Sequence, residues 1–405
     1  MSINLILAEN KCCGCGACST VCPKKAISMV PNEKGGFIFP LIDNSKCIEC
    51  GACEKVCQYH NPCERNSVKQ VYASAIKDDR ILKSSSGGAF VELATQFIRS
   101  GGVVCGVAMS HVEDQIKPMH MFVDDISDIE ALQGSKYAQS DMTGVFSKVR
   151  SLLSEDREVL FSGTPCQVAG LKSYLKKSYS NLYTVDMICH GVPSSKMFND
   201  YLDFLGRKMD GEIIDYKFRD KQLGWGINMR VYLKKKDGRI VEKVIPPEMS
   251  SYFSLFLKSH ITRESCIGCC YASANRTADI TLGDYWGVNT AHPEAVNTNR
   301  LDYNKGVSCV FVNTDKGRRL FEKYGFGMEC VESDFKVAVR FNGQAEKPVE
   351  APLNRNMVLE AYAEKGYPAV DKFYWDLVGM KKFIYYVKNT IPRSFRVKIK
   401  RLLKK

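Results

Sequence analysis

A chain of 405 residues is long enough for two or three domains with full cores, and nowhere does it carry an apolar run that could span a bilayer. The apolar piece Ile3 to Leu7 is too short for a secretory signal and lacks a basic flank, so eighteen cysteines point to a reducing cytoplasm in which thiols are kept for metal. The formal charge of +12 is concentrated at the end, where Lys381 to Lys405 holds ten Lys or Arg and no acid, and no nucleic-acid-binding motif accompanies it.

In chain order, the first informative stretch runs from Cys12 to Cys57. Cys12, Cys15, Cys18 and Cys22 form a C-x2-C-x2-C-x3-C run, and Cys47, Cys50, Cys53 and Cys57 repeat it thirty-five residues later. This is the spacing of a bacterial-type ferredoxin, in which three thiolates wrap one 4Fe-4S cube and the fourth crosses to the other. The expected sets are therefore Cys12, Cys15, Cys18 and Cys57, and Cys47, Cys50, Cys53 and Cys22. Gly14, Gly16, Ala17, Gly51 and Ala52 let the backbone curl around such cubes. Zinc is the alternative, but it usually takes separated C-x2-C pairs. Cys13 falls outside the pattern and reads as a small buried or loop residue, and Gln58 stands where the first run has Pro23. Each oxidised cube would lower the net charge by roughly two units. Between the runs, Ala26–Met29 and Gly36–Pro40 read as short covering strands.

After a polar linker from His60 to Gln70, strand and helix patterns alternate. Strands are expected at Val71–Ile76, Val103–Met109, Met119–Val123, Val159–Ser162, Leu182–Cys189, Ile213–Phe218, Met229–Lys234, Ile280–Leu282 and Val307–Val312. Helices are expected from Gly87, near Met142–Leu153, after Ser162, at Lys196–Leu205, and over residues 314–325 and 356–364, with Pro348, Pro352 and Pro368 as breaks. The series predicts an α/β body of mixed strand direction.

Three spots in the body look chemical. Ser84 to Phe90 opens a helix with two glycines, which suits either a plain N-cap or a phosphate seat. Phe161 to Gln167 places Cys166 in the first turn of a helix, where the dipole should push the thiol toward thiolate, and Cys189–His190–Gly191 repeats the arrangement after the next strand. Adjacent strands would bring Cys166 and Cys189 to one sheet edge. Cys266 and Cys269 would complete four thiolates and a third cluster. Cys189 as core filler, or Cys266–Cys269 as half of a zinc site, are equally open on the residues alone.

Ser86–Gly88, Gly134–Tyr137, Gly163–Gln167, Cys189–Val192, Phe218–Lys221 with Gly224–Trp225, Cys266–Cys269 and Gly283–Gly287 occur in an order that resembles the beta subunit of coenzyme F-420 (8-hydroxy-5-deazaflavin) hydrogenases and dehydrogenases, with a two-cluster ferredoxin module in front. The resemblance implies a small bacterial-type ferredoxin module followed by a larger mixed α/β flavin-binding body. It divides the chain into a module at 1–62, with repeats at about 3–33 and 38–67, a body at 70–340, with parts at about 70–150 and 155–340, and a helical, basic C-terminal region at 341–405. It further implies that Cys166, Cys189, Cys266 and Cys269 hold a third 4Fe-4S cluster, with Cys270 able to replace Cys269. Ser86, Gly87, Gly88, Lys136, Tyr137, Thr164, Gln167 and His190 would lie around FAD.

On this footing the chain is expected to be an iron-sulfur flavoprotein oxidoreductase, because clusters pass single electrons whereas an organic substrate or a deazaflavin takes a hydride. Lys136 and His190 are the expected catalytic residues, steadying reduced flavin or moving a proton. Electrons are expected from a soluble ferredoxin or another redox protein. The substrate is a small or lipid-linked molecule, with a link to surface-polysaccharide biosynthesis among the family's uses. The alternative is an electron-relay subunit whose chemistry a partner performs. Phe395, Ile399 and Leu402 at helical spacing among basic residues suit either a solvated end or contact with the inner face of the membrane by a cytoplasmic protein.

Overall fold

The computed structural model describes residues 11–222 and 224–390. The Ile3 to Leu7 piece and the Phe395, Ile399 and Leu402 spacing lie outside the described residues. Two short helices, α1 (Ala17–Val21) and α2 (Ala52–Lys55), flank an antiparallel hairpin of β1 (Ile27–Pro31) and β2 (Ile38–Ile42). Each helix opens on a left-handed glycine, Gly16 at φ +77° and Gly51 at φ +67°, a backbone that a side chain would strain and that turns the cysteine run into its helix. This is a ferredoxin-like unit with the two runs in matching positions.

The body contains an eight-stranded sheet. In chain order its elements begin with β3 (Gln70–Ile76), α3 (Ala89–Arg99), β4 (Val103–Val112), β5 (Gln115–Val123), α4 (Val145–Ser154), β6 (Val159–Ser162), α5 (Pro165–Leu175) and β7 (Leu182–Met187). There follow α6 (Ser195–Lys208), β8 (Glu212–Lys217), β9 (Met229–Lys234), β10 (Ile240–Ile245), α7 (Ser251–Leu257), β11 (Ile280–Asp284), β12 (Ser308–Val312), α8 (Asp315–Tyr324) and β13 (Met328–Ser333). The sheet order is β13-β3-β12-β11-β7-β6-β4-β5, with β11, β7, β6 and β4 parallel and the outer pairings antiparallel. Strands covered on both faces read as continuous apolar runs, and Val159, Leu160 and Phe161 in β6 are all fully buried. One face packs on Leu93, Ala94 and Phe97 of α3, the other on Phe146 of α4 and Val168 and Leu171 of α5.

A separate antiparallel sheet, β10-β9-β8, packs with α6, α7, α9 (Arg355–Lys365) and α10 (Tyr367–Val378) around Phe198, Tyr216, Phe218, Tyr252 and Tyr367. Phe37 from the β1–β2 hairpin is buried in the same core, and Ser194, the N-cap of α6, donates to Gly35 O at 2.6 Å, so the ferredoxin unit is docked on the body. A last helix, α11 (Lys381–Thr390), follows. Among the described residues no helix is long and apolar enough to cross a membrane.

Several expectations need correction. The helix expected over 356–364 does stop, at Lys365, but a new helix begins at Tyr367 and includes Pro368. The proline lies in the first turn of α10, where its missing N–H has no intrahelical partner to lose. The stretch expected as linker includes Asn66–Ser67, which pairs antiparallel with Asn275–Arg276, and Gln70 already belongs to β3. Leu182–Cys189 ends as a strand at Met187, which frees Cys189 for the loop beyond it.

Candidate metal centres

The parallel strands deliver their carboxyl ends to one edge of the sheet, the place where open α/β sheets hold ligands. Thr164 to Cys166 follow β6, Cys189 and His190 follow β7, and Asp284 to Trp286 end β11. Thr164 and Gln167 form a capping box at the start of α5, with Pro165 in its first turn. This fixes Cys166 at the helix entrance. Cys266 and Cys269 come from a loop whose turn uses Gly268 at φ +70°.

Cys166, Cys189, Cys266 and Cys269 line one cavity of about 840 Å3 counted to its open mouth, together with Cys13, Cys270, Thr164 and His190. Burial pushes the Cys189 thiol up to about 11, with Cys269 adding to the effect, and Cys266 is raised by burial, Cys189 and Cys269. Cys269 is thus the near neighbour of Cys189 and Cys266, whereas Cys270 is exposed and neighbours Cys269 and Cys13. A hydrogen bond to Cys13 and burial push the Cys166 thiol up. Arg276, fully buried, braces the two ligand segments by donating to Met187 O at 3.1 Å and Tyr271 O at 3.3 Å, while pairing with buried Asp186 at 3.3 Å.

The ferredoxin unit carries the other thiols. Cys22, Cys47, Cys50 and Cys53 line a second cavity, about 340 Å3 counted to its open mouth, with Pro23, Ile27, Ile42 and Ile48, so three thiols of one run meet the fourth of the other. Burial pushes Cys18 up to about 12, and Cys12 and Cys57 lie close enough to contribute. Cys15 packs against α5, where a Cβ on Gly170 would stand 2.9 Å from its sulfur. Among the described residues no three His, Cys, Asp or Glu side chains converge on a point that could hold a single metal ion. The donor sets, all soft thiols ringing cavities, suit iron-sulfur cubes.

Arg263, which no sequence motif singles out, lies between the two regions and is fully buried. Its guanidinium donates to Cys12 O at 2.6 Å, Ile38 O at 2.7 Å and Gln139 Oε1 at 3.1 Å, and it stacks 4.2 Å from the Phe39 ring centre. Its position three residues before Cys266 is the one signal the sequence offers.

The eight residues assigned to a flavin divide in space. Thr164 and His190 border the thiol cavity. His190 Nε2 meets Leu257 O at 2.8 Å, and burial holds its pKa below the usual histidine value. Gln167 is engaged in the capping box and donates to Ser140 Oγ at 2.9 Å. The other five do not line that cavity, although Tyr137 packs on Phe256, whose ring also meets His190. Ser86 Oγ donates to Val307 O, a Cβ on Gly87 would meet Ser74 O at 2.2 Å, and the cap of α3 is the left-handed Gly88 without a side-chain bond. Lys136 Nζ donates to Gln133 O at 2.7 Å, and burial pushes it down to about 7. Tyr137 Oη accepts from Arg219, which also grips Asp284 at 2.8 Å and Ser85 O at 3.0 Å, beside a stack of Trp225 on Trp286. The Ser86–Gly88 turn is thus packed closely against β3 and the start of β12.

Residues 71–147 match the N-terminal family model of the coenzyme F420 hydrogenase/dehydrogenase beta subunit, residues 156–328 match its C-terminal model, and residues 11–61 match a 4Fe-4S dicluster domain. A curated relative, one of the subunits of the F(420)H(2) dehydrogenase of Methanosarcina mazei, is 22% identical over 340 residues, spanning 81% of this chain and 86% of that protein. A chain of the F420-reducing NiFe hydrogenase complex from Methanosarcina barkeri aligns at a TM-score of 0.43 and 15% identity, covering 76% of this chain and 92% of that one. With its two halves matched over the sheet and its thiol runs over the ferredoxin unit, the chain belongs to the family of coenzyme F420 hydrogenase/dehydrogenase beta subunits, which are parts of oxidoreductases, and carries a 4Fe-4S dicluster domain at its front.

Proposed function

We propose that the chain is an iron-sulfur flavoprotein that takes electrons from a redox protein and delivers them to an organic acceptor. Cys47, Cys50, Cys53 and Cys22 would hold one 4Fe-4S cube, Cys12, Cys15, Cys18 and Cys57 a second, and Cys166, Cys189, Cys266 and Cys269 a third. The observation that carries the reading is the gathering of Cys166, Cys189, Cys266 and Cys269 in one cavity that a thiol of the ferredoxin unit also lines. In that unit Cys50 is exposed, with Ile48 more than half exposed in the same pocket wall, which suits the entry face for a ferredoxin or a larger redox complex. The cubes supply single-electron steps, and FAD, when bound, supplies the conversion to hydride chemistry.

The chain's own residues have distinct parts in this proposal. Thr164 and His190, at the cavity wall, are placed to touch a bound ring. Lys136, turned to the carbonyls of its own loop, acts as a positioning residue. Purification without oxygen should yield bound FAD that a deazaflavin or another organic acceptor reoxidises. A relay subunit would instead lack flavin and turn over only with its partner. Normal flavin occupancy and turnover in both Lys136→Met and His190→Gln would remove these two residues from the mechanism.

The same proposal places the chain in the cytoplasm against the inner face of a membrane, where lipid-linked substrates of surface-polysaccharide synthesis are found. Support comes from α11, which exposes Phe383 and Ile384 after a nearly bare Met380, beside Lys381 and Lys382 and with no acid in the helix. A helix of this kind lies in the headgroup region of anionic bilayers. Phe383→Glu with Ile384→Glu should abolish sedimentation with phosphatidylserine vesicles; undiminished sedimentation would end the membrane reading.

A further inference from the structure

Gln58 directly follows Cys57, where the first cysteine run has a proline. It is buried, and its side chain reaches across from the ferredoxin unit to the body. Its Nε2 donates to Cys13 Sγ at 2.7 Å and to Cys166 O at 2.9 Å, while its Oε1 accepts from the Tyr271 hydroxyl. All four groups sit at the wall of the inner thiol cavity. Cys13 stands between Cys12 and Cys15 in sequence, and its thiol lies against both Cys15 and Cys166. Its carbonyl accepts from Gln139 at 3.2 Å, which fixes the loop that presents it. A proline at position 58 could make none of these bonds, since it has no side-chain donor.

We propose that Gln58, with Cys13, is the positioning residue that couples the ferredoxin thiol set ending at Cys57 to the inner set beginning at Cys166. One covalent neighbour and one N–H···O=C bond separate those two cysteines, and no other described hydrogen bond joins Cys57 or Gln58 to a thiol-bearing residue of the body. Donors near an iron-sulfur site tune its potential and fix its surroundings. The event coupled here is transfer of a single electron from one site to the other, with no bond made or broken and no proton moved. The inference rests on the proposed third cluster and adds a residue that the cysteine pattern does not contain.

The test uses the whole chain, purified anaerobically and reduced by dithionite, in wild-type, Gln58→Leu and Gln58→Glu forms. Leucine removes every polar contact, whereas glutamate keeps the shape and the acceptor for Tyr271 and loses the N–H donors. Both variants should keep the wild-type iron content but lower the reduction potential of the inner site in an EPR-monitored redox titration. The inner site should also be reduced about tenfold more slowly, the size expected when a stabilisation of one to two hydrogen bonds is lost. Should leucine cost iron, the glutamate form alone decides. Full iron with an unchanged potential and rate overturns the proposal. About eight irons in the wild type, instead of about twelve, would mean that the third site itself is absent, a failure of the functional reading that the iron count separates from failure of the coupling.

Discussion

Arg263→Met should loosen the ferredoxin unit from the body. Methionine fills a similar volume, so the loss is mainly polar. Three acceptors, Cys12 O, Ile38 O and Gln139 Oε1, now take bonds from a guanidinium that is fully buried. Each buried acceptor left bare costs about 1–3 kcal/mol, and the low half of that range suits a junction that water can reach once loosened. The sum is about 3–5 kcal/mol, with the stacking on Phe39 counted as partly retained. Every 1.4 kcal/mol is tenfold, so local opening should become on the order of a hundredfold or more easier. Native-state hydrogen exchange of the amides in α1 and the β1–β2 hairpin reads this directly, because docking protects them as a unit. Arg263→Lys should recover little, since an ammonium cannot reproduce the planar fork. Wild-type protection in Arg263→Met would refute the claim that this side chain holds the two regions together.

Two other changes probe the packing around the site. Gly170→Ala should disturb the first thiol set, because the new methyl would stand 2.9 Å from Cys15 Sγ and 3.0 Å from its Cβ. Forcing α5 from the ferredoxin unit costs about 1–3 kcal/mol, and the expected signs are a lower melting temperature and loss of part of the iron; unchanged values of both would contradict the close approach. His120 should shape the acid limb of stability. Its ring is buried against Phe161, Nε2 meets Ser162 O at 3.2 Å, Nδ1 has no partner, and burial lowers its pKa to about 4. Between pH 6.5 and 4 the unfolded chain binds the proton that the folded chain refuses, so stability falls as pH falls through that window, by about 3 kcal/mol in all. His120→Phe should flatten that limb by about one proton in denaturation curves, and an unaltered slope would show that His120 is not the group responsible.

The cysteine spacing makes the meeting of Cys22 with Cys47, Cys50 and Cys53 legible because ligand geometry is written locally in the chain. Strong periodic strands are legible for a similar reason: Val159–Ser162 and Met229–Lys234 run as the sequence predicts. What escapes lies where distant parts meet. Strand β10 is hidden because Glu242 and Lys243 interrupt its apolar residues at a sheet edge, and α10 because Pro368 resembles a break. Arg263 and Gln58 carry no motif, and their importance comes from carbonyls and thiols brought near by folding. The Ser86–Gly88 motif shows the reverse limit. Its glycines are needed for close packing against β3, a use that sequence alone does not distinguish from a ligand seat.

The central claim is that thiols from both parts of the chain hold three iron-sulfur cubes. Iron and acid-labile sulfide measured on oxygen-free protein test it most directly. The account predicts about twelve of each per chain, with about four lost when Cys166 and Cys266 are replaced by serine. A wild-type value near eight that those replacements leave unchanged, or zinc in place of iron, would contradict it.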